Sequence, residues 1–133
     1  MSIQIGQKGY AETVVEEALT ARVAGSGALD VYATPHMVAL MEQAAWTSIQ
    51  PALEEGQGSV GIAISVTHDA ATPLGMKVWA ESEVTAVDGR KVSFTITAHD
   101  ECGVIGTATH QRFVVENEKF FSRCQGKIDR AAK

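Results

Sequence analysis

The chain has 133 residues, 45% of them hydrophobic, and a formal net charge of -5 at pH 7. That length suffices for one domain, residues 1–133, with its own core; the acidic balance excludes sequence-independent nucleic-acid binding, which needs a basic surface. No apolar run approaches the roughly 18 residues of a membrane span, and Met1 to Gly6 lack the basic and apolar regions of a secretory signal, so a cytoplasmic protein is expected.

Residues 13–24 are rich in Val, Ala and Thr and read as a first strand, broken by Gly25-Ser26-Gly27. Thr34-Pro35 reads as a helix start, with Thr34 as the cap and Pro35 in the first turn. That helix is expected to reach about Glu54, with Pro51 as its weak point and Gly56 and Gly58 in the loop beyond it. Four strand-like runs follow: residues 60–68, 76–87, 91–99 and 104–115, the middle pair joined by a tight turn at Asp88-Gly89. In the third run Val92, Phe94, Ile96 and Ala98 alternate with Ser93, Thr95, Thr97 and His99, a period of two that buries one sheet face. Lys119 to Phe121 read as a short addition, and the polar tail from Gly126 as a fraying end. The order predicts an α+β fold with the strands in hairpin succession and one helix packed on an antiparallel sheet. On that helix His36, Gln43, Thr47 and Gln50 share one narrow polar arc at about 100° per residue. The rest is mostly apolar, which predicts burial on most sides by the sheet and a second subunit.

Three residues stand where a site can use them. Glu42 lies among the apolar residues Trp46, Ile49 and Leu53 on the helical wheel, where a carboxylate is partly desolvated and expensive without a partner. Helix capping alone is enough to explain Thr34. His68 ends a strand; it reads either as an exposed histidine or as a general acid or base titrating near neutrality. Gly61 marks either close strand packing or the approach of a ligand to the backbone. Arg90, Lys91 and Arg112 are cations able to meet a phosphate, although scattered cations usually serve solvation. His99 and His110 lack paired acidic spacing, and Cys102 and Cys124 form no C-x-x-C pair, so no metal site is expected. Asp69 follows His68 on the opposite strand face and is a poor candidate to orient it.

The pattern Ala33-Thr34-x-x-Met37-Val38-x-Leu40-Met41-Glu42, then Gly61-x-Ala63-Ile64-x-Val66-Thr67-His68-x-Ala70-Ala71-Thr72-Pro73-x-Gly75, resembles the fluoroacetyl-CoA thioesterase group of the hot-dog fold. The likeness continues through Val87-Asp88-Gly89-Arg90, Ala98-His99-Asp100 and Gly106-Thr107-x-Thr109-His110-x-Arg112. It implies a hot-dog fold, a long central helix wrapped by an antiparallel sheet, and a homodimer with a shared active site. It also implies hydrolysis of a small acyl-CoA thioester, with no cofactor beyond the CoA of the substrate. The catalytic threonine, glutamate and histidine map to Thr34, Glu42 and His68, expected to converge on one pocket, and Gly61 and Arg112 are expected at the substrate. The family's fluoroacetyl-specific member carries phenylalanines ahead of the threonine that form a lid; this chain has Gly25-Ser26-Gly27-Ala28 there, which predicts a broader acyl range. An enoyl-thioester hydratase and a non-catalytic acyl-CoA binder are the alternatives.

Overall fold

The computed structural model describes residues 2–132. Five antiparallel strands form one sheet: β1 (Lys8–Val14), β2 (Gln57–His68), β3 (Lys77–Asp88), β4 (Lys91–Asp100) and β5 (Gly103–Glu116), in the order β1-β3-β4-β5-β2. The alternation in β4 works as its sequence predicts: Val92, Phe94, Ile96 and Ala98 are all buried. The helix α2 (Thr34–Ile49) lies against that face and buries Met37, Leu40, Met41, Ala44, Ala45 and Ile49.

The strands do not run in simple hairpin succession. β3, β4 and β5 form a meander, but β2 pairs with β5, from Gln57 opposite Glu116 to His68 opposite Gly106. The segment from Asp69 to Met76 therefore crosses the end of the sheet to reach β3. It is tied down on the way. The Thr72 hydroxyl donates to the buried Asp100 carboxylate at 2.7 Å, Tyr32 N–H donates to the Thr72 carbonyl, and Asp69 N–H donates to the Ile105 carbonyl. This explains much of the Ala-Ala-Thr-Pro-x-Gly run after His68 in physical terms.

Four sequence expectations are corrected or qualified. First, strand character stops at Val14. Glu17–Leu19 form a 3-10 turn, and a short helix α1 (Ala21–Ala24) is capped by the Thr20 side chain and closed by Gly25 in the left-handed region, φ 80°. A capping threonine and a stop glycine outweigh the β-branched composition. Second, α2 ends at Ile49, and Gln50–Ala52 continue as a 3-10 turn, because Pro51 has no N–H to extend the ladder. Third, of the burial expected from sheet and second subunit together, one chain supplies a single stripe of α2; Ala39, Gln43 and Trp46 face outward. Fourth, Asn117–Ala131 form a helix, α3, in place of a short strand and a frayed tail, and none of its residues is buried. Lys119, Arg123, Lys127 and Arg130 recur every three or four positions along it, a helical period.

Candidate active site

Thr34 is the first residue of α2, but it does not cap the helix: the cap position is Ala33, which makes no side-chain capping bond. The Thr34 hydroxyl turns instead to the last residue of β2, where Oγ1 lies 2.7 Å from His68 Nδ1. Burial lowers the His68 pKa, opposed by the Asp69 charge and more weakly by the nearby Ala70 backbone. The ring is thus favoured as a neutral imidazole able to accept a proton. Asp69, dismissed from strand alternation, acts on it through space. Its carboxylate accepts the Thr67 hydroxyl at 3.1 Å. Thr34 and His68 line a cavity of about 230 Å³, whose other walls include Ala21, Ser26, Tyr32 and Ala70.

Glu42 belongs to a second cluster. Its Oε2 accepts from Arg112 Nη1 at 3.2 Å, and the side chain remains about a third exposed. Arg112 is buried and pinned on its other side: Nε donates to the Ser59 hydroxyl at 2.8 Å and Nη2 to the Ser59 carbonyl at 3.0 Å. His110 completes the group. Its Nδ1 is 2.8 Å from the Ala63 carbonyl, which can only accept, so Nδ1 carries the proton. Nε2 is then a lone pair and accepts from Arg112 Nη1 at 3.2 Å. Burial lowers the His110 pKa; the nearby Arg112 charge pushes the same way, while the Ala63 bond and Glu42 resist. The 3.7 Å contact of His110 Nε2 with Glu42 is therefore not an ion pair. The partner that Glu42 requires in apolar company is Arg112.

Gly61 abuts the same carboxylate, beside a register shift in the β2–β5 pairing. A Cβ at Gly61 would stand 2.5 Å from Glu42 Oε2, 3.2 Å from His110 Cε1 and 3.4 Å from Arg112 Nη1. The position has room for a backbone and nothing more.

Within one chain the sequence-predicted residues thus fall into two groups, Thr34 with His68 and Glu42 with Gly61 and Arg112. Thr34 and Glu42 are eight residues apart on α2, about 12 Å along the axis. One group offers a hydroxyl coupled to an imidazole, the other a carboxylate with one oxygen fixed. Ser59, His110 and Tyr32 are additions to the expected set. The period of two in β5, which puts His110 and Arg112 on the face of Ala108 and Val114, is the signal that finds His110.

Comparison with known proteins gives the chain's relatives. A family model described as fluoroacetyl-CoA-specific thioesterase matches residues 15–118. A fluoroacetyl-CoA thioesterase from Streptantibioticus cattleyicolor is 46% identical over 98 residues, covering 74% of this chain and 70% of that protein. A solved structure of a fluoroacetyl-CoA thioesterase superposes with a TM-score of 0.89 at 38% identity, covering 96% of this chain and 98% of the other. A thioesterase superfamily member from Thermus thermophilus superposes with a TM-score of 0.91 at 30% identity, covering 99% and 98%.

Proposed function

Because the chain belongs to the fluoroacetyl-CoA-specific thioesterase family, with its hot-dog fold, and is an acyl-CoA thioester hydrolase, we propose that it cleaves small acyl-CoAs at a site shared by two subunits. Glu42 comes from one subunit, and Thr34 and His68 from the other. The observation that carries this reading is the split itself, two chemically complementary groups that one chain holds apart. β2 supports it. Among the described residues it pairs only with β5, so its other edge is free there, and its residues 61–65 are exposed, Ile62 by 50% and Ile64 by 36%. If β2 pairs antiparallel with its own copy about a two-fold axis between residues 64 and 65, Gly61 and its Glu42 come opposite His68 of the partner subunit. The exposed free thiols of Cys102 and Cys124 suit a reducing cytoplasm.

In the proposed reaction Glu42 takes a proton from water as the water oxygen bonds to the thioester carbonyl carbon. The Thr34 hydroxyl, oriented by His68, donates to the oxygen that gathers negative charge. The C–S bond then breaks, the proton held by Glu42 passes to sulfur, and the acid and CoA thiol leave. Arg112 fixes the carboxylate, and the lack of a side chain at Gly61 lets the carboxylate lie against the β2 backbone. Small residues around the Thr34–His68 cavity, Ala21, Ser26 and Ala70, favour a range of short acyl groups over fluoroacetyl alone. The test is release of free thiol from acetyl-, fluoroacetyl- and longer acyl-CoAs by the native chain and Glu42→Gln. The substitution keeps the shape and removes the base, so kcat is expected to fall by roughly a hundredfold or more across the panel. Turnover close to the native value would remove Glu42 from the mechanism.

A further inference from the structure

Two buried polar atoms beside the Thr34–His68 pair have no hydrogen-bond partner within the described chain: the Tyr32 hydroxyl and His68 Nε2. Native structures keep few such atoms, because a buried donor or acceptor that loses water and gains nothing is costly. Both side chains border the same cavity of about 230 Å³. Their rings meet edge to face, centroids 6.4 Å apart and planes at 80°. The two atoms do not bond each other directly.

Tyr32 is built to hold still. It is 2% exposed, its N–H donates to the Thr72 carbonyl, and its neighbours tie the same stretch down: the Val31 carbonyl accepts from Ala21 N–H, and Ala33 N–H donates to the Leu19 carbonyl. Its backbone bridges to Thr20 and that of Val31 to Pro73. Burial raises the Tyr32 pKa and keeps the phenol protonated, hence a donor. A neutral imidazole offers one nitrogen as donor and the other as acceptor, and what each nitrogen meets decides which is which.

We propose that Tyr32 is a positioning residue for His68: its hydroxyl donates to a water that donates in turn to His68 Nε2. Nε2 is then the lone pair, so the ring proton sits on Nδ1. Nδ1–H donates to Thr34 Oγ1 across the 2.7 Å contact. Thr34 Oγ1, having accepted that bond, keeps its own O–H free to point at the substrate oxygen. Without the Tyr32 hydroxyl the ring is free to carry its proton on Nε2. Thr34 then donates to Nδ1 and its proton turns away from the substrate. Tyr32 thereby controls a hydroxyl it does not touch. The catalytic consequence rests on the proposed thioesterase site; the proton's position does not.

The experiment uses the full chain with ¹⁵N-labelled histidine, the His68 signal being identified by its loss in His68→Gln. In the native chain the His68 ring is expected as the Nδ1–H form. In Tyr32→Phe, which keeps the ring and its packing, the Nε2–H form is expected to take over, with the thermal midpoint essentially unchanged. Loss of one oriented hydrogen bond predicts a kcat lower by roughly 5- to 10-fold, with KM little altered. A native ring already in the Nε2–H form overturns the proposal, and needs no variant to be read. An unchanged Nδ1–H form in a folded Tyr32→Phe also overturns it. A native chain that releases no thiol from any acyl-CoA would count against the proposed function, leaving the tautomer result to stand alone.

Discussion

Thr34 shows how one residue can satisfy a sequence rule for the wrong reason. Threonine before proline is a good helix start, and the helix does start there, but the hydroxyl goes to His68 and not to the helix N–H groups. Removing that hydroxyl should therefore cost activity more than helix stability. Thr34→Val is expected to lower kcat by roughly tenfold with a small change in thermal midpoint, and Thr34→Ser to restore most of it; a large fall in midpoint would show a structural role instead. The site chemistry is legible in sequence to the extent that it uses conspicuous residue types, Glu42 in apolar company and His68 at a strand end. The partner Ser59 is not, because pairing across β2 and β5 joins it to Arg112, 53 positions away. Burial lowers both the His68 and His110 pKa values, so the folded chain resists protonation of rings that the unfolded chain protonates near their ordinary value of about 6.5. The unfolded state then binds more protons below that pH, and their contribution to stability is full above it and is lost as pH falls through it. Thermal midpoints measured from pH 7.5 down to 5 should fall; a rising midpoint would contradict the neutral state of both rings.

At the level of elements, periodicity is legible wherever one face is buried. β4 alternates cleanly because helix and solvent lie on opposite sides of it. In α2, whose apolar wheel predicts burial on most sides by the sheet and a second subunit, one chain covers a single stripe and leaves Trp46 41% exposed. The same rule misses α3, whose period is carried by exposed cations and no buried residue. Strand order is not legible at all, since β2 and β3 are consecutive in sequence and separated in the sheet by β5 and β4. Gly61 joins element to site. As an exposed position on an edge strand it should accept a methyl group, yet that methyl would meet a carboxylate already held by Arg112. Gly61→Ala is expected to leave a folded chain and to reduce kcat/KM by roughly ten- to a hundredfold, in line with the cost of displacing a catalytic group by about an ångström. A fully active alanine variant would show that Glu42 moves freely.

For the whole molecule, a shared site makes a prediction that no single-chain site can meet. Glu42→Gln and His68→Ala should each be inactive as homodimers. After subunit exchange in an equal mixture, half the dimers are mixed, and each mixed dimer holds one site with both native residues. Activity should return to roughly a quarter of the native level under the two-fold arrangement. A mixture that stays inactive after demonstrated exchange would place all three residues in one chain's site.

The free edge of β2 has a consequence beyond catalysis. From Gln57 to His68 the strand carries no charged Asp, Glu, Lys or Arg and no proline, the devices that usually keep a bare strand edge from recruiting whatever strand it meets. Under the proposed pairing of two copies, a newly made or diluted chain would expose this edge as an aggregation template, and the copy that covers it would also be its gatekeeper. Heat resistance should then rise with protein concentration, and a lysine at Ile62 or Ile64 would trade the assembled enzyme for a chain that stays dispersed when alone.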